Sequence, residues 1–292
     1  MFIGIILNRI TWEIKQLISE FEKRNIKYEL LNNQKIYFKL SKEKDLSLKD
    51  DIDLILERSL SFLRGMYSCA ILEKKGYKII NNYKCLNICG NKLLTTLELI
   101  KNDIPTPKTN IAFTEEASIE AIENDVRYPA IIKPIIGSWG RLIAKVDDYN
   151  SAASNIECRE TMGNILQKIY YIQQYIPSQG SEKEKPTDIR VFVIGNECVA
   201  AMGRFNPERD FRSNIAIGGT AKPIEISNEM KKLSISAANS VKGEIIGVDL
   251  MENNGKMQVI EINGTPQFKG IQTATGKNIA GEIVSYIENK YK

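Results

Sequence analysis

The sequence predicts an α/β chain, and three observations carry that expectation. Short apolar runs alternate with amphipathic helical stretches through the first third of the chain. Glycine- and proline-containing breaks divide the rest into strand-length segments, hairpins and helices. The composition, 43% hydrophobic and 26% charged over 292 residues, is that of a water-soluble protein able to bury a core. This length accommodates two or three domains.

Taken in order, residues 2–7 (FIGIIL) suit a buried parallel strand. Ile14, Leu17, Ile18 and Phe21 share one face of a helix. YELLN and KIYFKL alternate as strands do, and DLILER at 53–58 reads as another buried strand. A helix from Leu63 to Lys75 ends at Gly76, and KIINN at 78–82 is again a strand. This βαβ rhythm makes residues 1–88 an open α/β domain, in which ligands meet the carboxyl ends of the strands. Arg9, Arg58 and Ser59 stand at such ends. Helices are predicted over 91–101, 115–123, 228–242 and 278–290. YPAIIKPIIGSWGRLIAKVDD reads as two strands joined by a glycine-containing loop, and YYIQQYIP as one strand. DIRVFVIGNECVAAMGRF reads as a hairpin turning at Gly195–Asn196. Residues 178–187 and 206–219 read as loops.

The composition excludes several chemistries. The chain has no histidine, so Ser-His-Asp catalysis and histidine metal sites are out. A net charge of +4 is too weak to argue for nucleic acid. Cys69, Cys85, Cys89, Cys158 and Cys198 complete no zinc set and read as reduced thiols. The apolar N-terminal run is too short for a signal peptide, and no run of 18 apolar residues occurs. The expectation is a cytoplasmic protein with no membrane partner.

The most specific chemistry lies in GVDLMENNGKMQVIEIN. A three-residue Asn253-Asn254-Gly255 loop would pair Glu252 with Lys256 and put Asp249, Glu261 and Asn263 on one face. Val248, Leu250, Ile260 and Ile262 would then point into the core. A two-residue Asn254-Gly255 turn would put Asp249 on the opposite face, a costly burial of a carboxylate, so the longer loop is expected. Two carboxylates and an amide oxygen suit Mg²⁺.

A second constellation points to phosphate. Lys133 lies in an apolar strand, where a cation needs an anion. Five residues on, GSWGR brings backbone N–H groups and a hydroxyl towards such a ligand. The strand IQQYI at 172–176 could read an adenine through its backbone. Arg190, Arg204, Arg212 and Asn214 follow, and three arginines near a metal face would neutralise a transferring phosphoryl group.

Together these residues resemble the ATP-grasp carboxylate–amine ligases from Met1 to about Glu288. GSWGRLIAKVDD, ERSLSFLRG, YYIQQYIPSQG, DIRVFVIG and EINGTPQFKG are most similar to the LysX type. Those enzymes attach α-aminoadipate, or glutamate in the sister ArgX type, to the C-terminal glutamate of a small acidic carrier, LysW. The resemblance implies an ATP-grasp fold with a pre-ATP-grasp domain over 1–88, a central lid subdomain over 89–177 and a C-terminal antiparallel-sheet subdomain over 178–292. It implies ATP and Mg²⁺, or Mn²⁺ in its place, an amino-acid substrate, a LysW-like partner and a homo-oligomer. Lys92 and Lys133 would contact the nucleotide, and Gly137, Ser138, Trp139, Gly140, Arg141 and Leu142 would form the phosphate loop. Gln173, Gln174, Tyr175 and Ile176 would lie at the adenine hinge, and Asp188 at the ribose or the phosphates. Asp249, Glu261 and Asn263 would hold the metal. Arg212, Asn214 and Arg190 would serve the acyl phosphate, while Arg9, Arg58, Ser59 and Arg204 would face the substrate carboxylates. Two departures stand out. Gln174 occupies a hinge position that usually carries Glu, and ERDFRSNIAIGG is more like RimK, a glutamate ligase. Asn214 is followed by Ile215 where LysX has Thr or Ser, so the choice between aminoadipate and glutamate stays open.

Overall fold

The computed structural model describes residues 1–41, 51–137, 140–177, 185–206 and 219–291. The first unit contains β1 (Phe2–Leu7), α1 (Trp12–Lys23), β2 (Lys27–Asn32), β3 (Leu54–Glu57), α2 (Phe62–Lys74) and β4 (Ile79–Ile80). Its four strands are parallel in the order β2-β1-β3-β4. Every residue of β1 is buried, as a strand covered on both faces requires. Thr11 caps α1 by accepting from the Ile14 amide, and Gly76 takes a left-handed conformation (φ 91°) just after α2.

The alternating segment KIYFKL is not a strand; residues 36–40 run irregularly beyond the edge strand β2. Ile36 and Phe38 pack against the cluster around Ile6, Leu31 and Ile55, so the alternation records two apolar anchors with no strand partner among the described residues. The strand expected over 78–82 shortens to two residues, and α3 (Tyr83–Cys89) follows, unforeseen, before α4 (Lys92–Lys101).

The second unit holds β5 (Thr109–Ala112), α5 (Glu115–Ala121), β6 (Ala130–Pro134), β7 (Ala144–Val146), α6 (Tyr149–Met162) and β8 (Tyr170–Gln174). Its sheet is antiparallel in the order β5-β8-β6-β7. The third holds β9 (Asp188–Ile194), β10 (Glu197–Phe205), β11 (Thr220–Pro223), α7 (Asn228–Ser240), β12 (Ile245–Asn253), β13 (Lys256–Asn263), α8 (Lys269–Thr275) and α9 (Ile279–Tyr291). These five strands are antiparallel in the order β11-β10-β9-β12-β13.

The two faces of the third sheet bury different partners. Val191, Val193, Ile246, Val248 and Leu250 pack with Ala237 of α7, Val241 just after it and Leu99 of α4. Phe192, Ile194, Met202 and Ile245 share a core with Ile5, Ile14 and Leu17 of the first unit. The first unit is also fastened by one side chain. Buried Asn81 donates to the Ile245 and Gly264 carbonyls (2.7 and 2.6 Å) and accepts from the Glu244 and Ile245 amides (2.7 and 3.1 Å). All five cysteines are free thiols, with the Cys85 and Cys89 sulfurs 3.9 Å apart. Among the described residues, no helix is long and apolar enough to cross a membrane.

Candidate active site

The hairpin β12–β13 reaches the expected face by an unexpected route. Its turn is the two-residue Asn254-Gly255, with Asn253 paired to Lys256 and both turn residues at positive φ (52° and 76°). This corrects the three-residue loop. Taken alone, that turn would place Asp249 and Glu261 on opposite faces. A register shift between Asp249 and Leu250 inserts one residue, so Leu250 pairs with Val259 while Asp249 lies directly opposite Glu261. The bulged residue is Ile260. It lines the cavity instead of entering the core, and buried Val259 takes the core position.

Antiparallel register continues the row of charges across the sheet. Asp249 is opposite Arg190 of β9, and Asp188, two residues earlier on β9, is opposite Arg204 of β10. Arg190 grips Asp249 with two parallel bonds, Nε to Oδ1 (2.6 Å) and Nη2 to Oδ2 (2.7 Å). Arg204 spans the two aspartates, Nε to Asp188 (2.5 Å) and Nη2 to Asp249 (2.8 Å). Asp249 is 1% exposed. Burial pushes its carboxyl up, but the two guanidinium groups outweigh this and hold it at about 2. Burial lowers Arg204 while Asp249 and Asp188 raise it, and the net shift is upward. Arg190 and Arg204, two of the three arginines expected at a phosphoryl group, are thus already paired with carboxylates.

Facing this row is the second sheet. Asn91 caps α4 by accepting from the Leu93 and Leu94 amides and sets Lys92 on the first turn. The Lys92 ammonium donates to the Gly137 carbonyl (3.0 Å) and lies 3.6 Å from the Glu261 carboxylate. Lys133 of β6 donates to the side-chain oxygen of Gln173 (2.6 Å). Desolvation, then the nearby Lys92 charge, pulls the Lys133 ammonium down to about 8. An open cavity of about 890 Å³ lies between the sheets. It is lined by Lys92, Lys133, Gly140, Gln173, Gln174, Tyr175, Ile176, Asp188, Arg204, Asp249 and Glu261 from among the residues singled out in the sequence. Pro107, Ile131, Ile143, Thr187, Met251 and Ile260 complete the lining and were not foreseen. Met251 had a signal: two residues beyond Asp249 on one strand, it shares that face.

Other expected residues lie elsewhere. Arg190, Asn263, Gly137, Arg141 and Leu142 border this arrangement without lining the cavity. Leu142 is left-handed (φ 60°), and its carbonyl accepts from Arg159 of α6 (2.8 Å). Arg9 is exposed after β1. Arg58 is buried, donates to the Pro266 carbonyl (2.8 Å) and lies 5.6 Å from the Phe268 ring centre; burial lowers its pKa. Ser59 accepts from Asn33 (3.1 Å). These three stand at the carboxyl edge of the first sheet, outside the cavity lining. Ser138, Trp139, Arg212 and Asn214, with residues 178–184 and 207–218 of the two expected loops, lie outside the described residues.

The donor set suits a hard divalent cation. Asp249 and Glu261 offer carboxylate oxygens side by side, and Asn263 donates through its nitrogen to the Gly247 carbonyl (3.4 Å), leaving its oxygen as the acceptor. Among the described residues no three His, Cys, Asp or Glu gather as a metal cluster, so water and phosphate oxygens would complete the shell.

Cations, an acidic row and an apolar-walled cavity thus meet between two antiparallel sheets, and the comparisons with known proteins give the class, an ATP-dependent ligase. The RimK-like ATP-grasp domain matches residues 89–287, and the LysX preATP-grasp domain matches residues 3–88. The chain belongs to the RimK-like ATP-grasp family and is a ligase of that family. It is 34% identical over 292 residues to the glutamate–LysW ligase ArgX of Sulfolobus acidocaldarius, covering 100% of this chain and 99% of that one. It is 34% identical over 271 residues to the α-aminoadipate–LysW ligase LysX of Saccharolobus solfataricus, covering 92% and 94%. A probable α-L-glutamate ligase of Legionella pneumophila is 33% identical over 230 residues, 77% of this chain and 73% of that one. Among solved structures, the ATP-grasp ligase PsnB with a phosphomimetic precursor variant, Mg and ADP superposes with a TM-score of 0.77 at 18% identity, covering 99% and 98%. A RimK domain ATP-grasp protein of Sphaerobacter thermophilus gives 0.74 at 20%, covering 99% and 100%.

Proposed function

We propose that this protein uses ATP to join glutamate or α-aminoadipate to the C-terminal glutamate of a small acidic LysW-type carrier, as a step of arginine or lysine biosynthesis. The observation that carries the reading is the charged row Arg204, Asp188, Arg190, Asp249 and Glu261 on one sheet face, opposed by Lys92 and Lys133 across a single cavity. Such a row beside an open cavity is suited to a triphosphate with its cation. Asp249, Glu261 and Asn263 would hold Mg²⁺, which when bound supplies charge neutralisation at the phosphates. Mn²⁺ is an alternative occupant of the same oxygens.

In this reading Lys92 and Lys133 bind the phosphates, and the 137–142 loop covers them. The backbone at Gln174–Ile176, at the end of β8, reads the adenine edge, with Ile131, Ile176, Met251 and Ile260 as apolar walls. Asp188 faces the ribose or the phosphates. The acceptor carboxylate attacks the γ-phosphorus and ADP leaves. The amino group of the incoming amino acid then attacks the acyl carbon, phosphate leaves, and an amide remains. Arg190 and Arg204 hold Asp249 ionised and oriented, and Arg212 and Asn214 serve the acyl phosphate. Arg9, Arg58 and Ser59 meet the substrate carboxylates at the carboxyl edge of the first sheet. The route depends on positioning and charge stabilisation more than on a strong protein base, so it tolerates a chain without histidine. A homo-oligomer in the cytoplasm completes the proposal.

A RimK-type glutamate ligase acting on another carboxylate is the second reading, and the likeness of ERDFRSNIAIGG to RimK favours it. The LysW reading is preferred because its relatives align over the whole chain, first unit included. Incubation with ATP, a LysW-type carrier and each amino acid decides. The expected outcome is ADP release that requires both substrates and a carrier heavier by one amino-acid residue. ADP release with no change in carrier mass, alongside glutamylation of another acceptor, would replace this reading with the second.

A further inference from the structure

Lys133 lies near carboxylates yet is ion-paired with none of them among the described residues; Glu261 is paired with Lys92 instead. Its hydrogen-bond partner is the neutral amide of Gln173, which is 2% exposed. That amide cannot turn over. Its nitrogen donates to Thr109 Oγ1 (3.0 Å) and to the Tyr171 hydroxyl (3.0 Å). Thr109 gives its own proton to the Pro107 carbonyl (2.8 Å), so it must accept from the amide. The Tyr171 hydroxyl, accepting from the amide, shares a further hydrogen bond with Thr96 Oγ1 (2.8 Å), in which either oxygen can donate. Thr109 therefore fixes the amide, with its nitrogen towards the hydroxyls and its oxygen aimed at Lys133.

Strand register builds the arrangement. Thr109, Gln173 and Ile131 are aligned across β5, β8 and β6, and Tyr171 is directly opposite Lys133 in a neighbouring row. Thr96 comes from α4, one turn beyond Lys92, so one helix supports both lysines. The Tyr171 ring centre lies 6.0 Å from the ammonium. A carboxylate at position 173 would satisfy the lysine more strongly and neutralise it. The amide instead holds the ammonium in place and leaves its charge uncompensated. The depressed ammonium of Lys133 agrees with a cation that has no counter-ion of its own.

We propose that Gln173, locked by Thr109, Tyr171 and Thr96, is a positioning residue that presents Lys133 as an uncompensated cation to an anionic ligand. This rests on the reading that the cavity takes nucleotide phosphates, and it moves Gln173 from nucleotide contact to lysine support. The test is ATP binding by calorimetry, with thermal melting, on Gln173→Glu, Tyr171→Phe, Lys133→Met and the double variant Lys133→Met with Gln173→Glu. Gln173→Glu is expected to melt at or above the wild-type temperature while its Kd for ATP rises at least tenfold. Tyr171→Phe, which only loosens the amide, is expected to raise Kd about threefold. With Lys133 replaced, adding Gln173→Glu should change Kd by less than twofold. Wild-type ATP affinity in Gln173→Glu, or an undiminished tenfold effect of Gln173→Glu in the Lys133→Met background, would overturn the proposal. Carrier modification is read separately: in Gln173→Glu the KM for ATP should rise with kcat within threefold, and a fall in kcat at constant KM would overturn it equally. Absence of carrier modification with the binding pattern intact would count against the LysW reading and leave this one standing.

Discussion

The two walls of the cavity treat charge in opposite ways. On the third sheet the charges are self-sufficient: Asp249 accepts from Arg190 and Arg204, and Arg204 reaches on to Asp188. On the second sheet Lys133 donates to a neutral amide and is ion-paired with no carboxylate among the described residues. The difference teaches that one wall is a prebuilt, internally neutralised scaffold, whereas the other holds a cation whose counter-ion arrives with the ligand. Removing a charge from the Arg190, Arg204, Asp188 and Asp249 network should therefore damage the fold, whereas removing that of Lys133 should spare it.

The largest expected effect is that of Asp249→Asn, which leaves two guanidinium groups short of a partner. Breaking a buried pair this way costs about 3–5 kcal/mol, so the melting temperature should fall along with a turnover loss of about a hundredfold or more. Glu261→Gln sharpens the contrast. With its side chain 34% exposed and a single lysine partner at 3.6 Å, turnover should fall comparably while the melt barely moves. Equal destabilisation by the two variants would break the distinction drawn along the row.

Next comes Lys133→Met. The KM for ATP should rise about tenfold, equivalent to about 1.4 kcal/mol, with stability unchanged or improved because a desolvated cation has gone. Clear destabilisation in denaturant melts would show that Lys133 is part of the scaffold after all.

The smallest effects are those of pH, and on both walls stability rises with pH, in separate windows. Asp249 sits at about 2 in the fold against an ordinary 3.8, so its contribution to stability is complete above about pH 4 and is lost as pH falls through 2. Lys133 sits at about 8 against 10.5. Between those values the unfolded chain binds more protons, so this residue makes the fold more stable as pH rises. Over the same window its grip on an anion is lost, so ATP affinity should weaken above pH 8 while the melting temperature gains slightly. Parallel binding and melting series across pH 7–10 would expose any failure of this opposition.

Much of this was legible in the residues because strand alternation is a strict rule. Asp188 and Arg190, or Asp249 and Met251, must share a face if they share a strand. Lys133 announced itself as a cation in an apolar strand. Its neutral partner did not, because Gln173 is chosen by cross-strand register, which one strand's sequence does not contain. The hairpin was legible only in its outcome. In a regular ladder the two-residue turn would bury Asp249 among aliphatics; the molecule keeps that turn and avoids the burial by a bulge at Ile260. KIYFKL misled because alternation registers burial of Ile36 and Phe38, and burial does not require a ladder. Helix α6 escaped notice because only Ala152 and Ile156 are buried on it, too thin a stripe to stand out.

The hairpin has a lasting arithmetic. From the turn back to Asp249 and from the turn forward to Glu261, the two arms differ by one residue, and it is the inequality that sets the acids side by side. Lengthening both arms together would preserve the meeting of the two carboxylates, whereas trimming a single residue from the longer arm would turn Glu261 towards the aliphatic interior. Insertions and deletions in this segment are therefore tolerable only as matched pairs, a parity rule for anyone aligning or redesigning the hairpin.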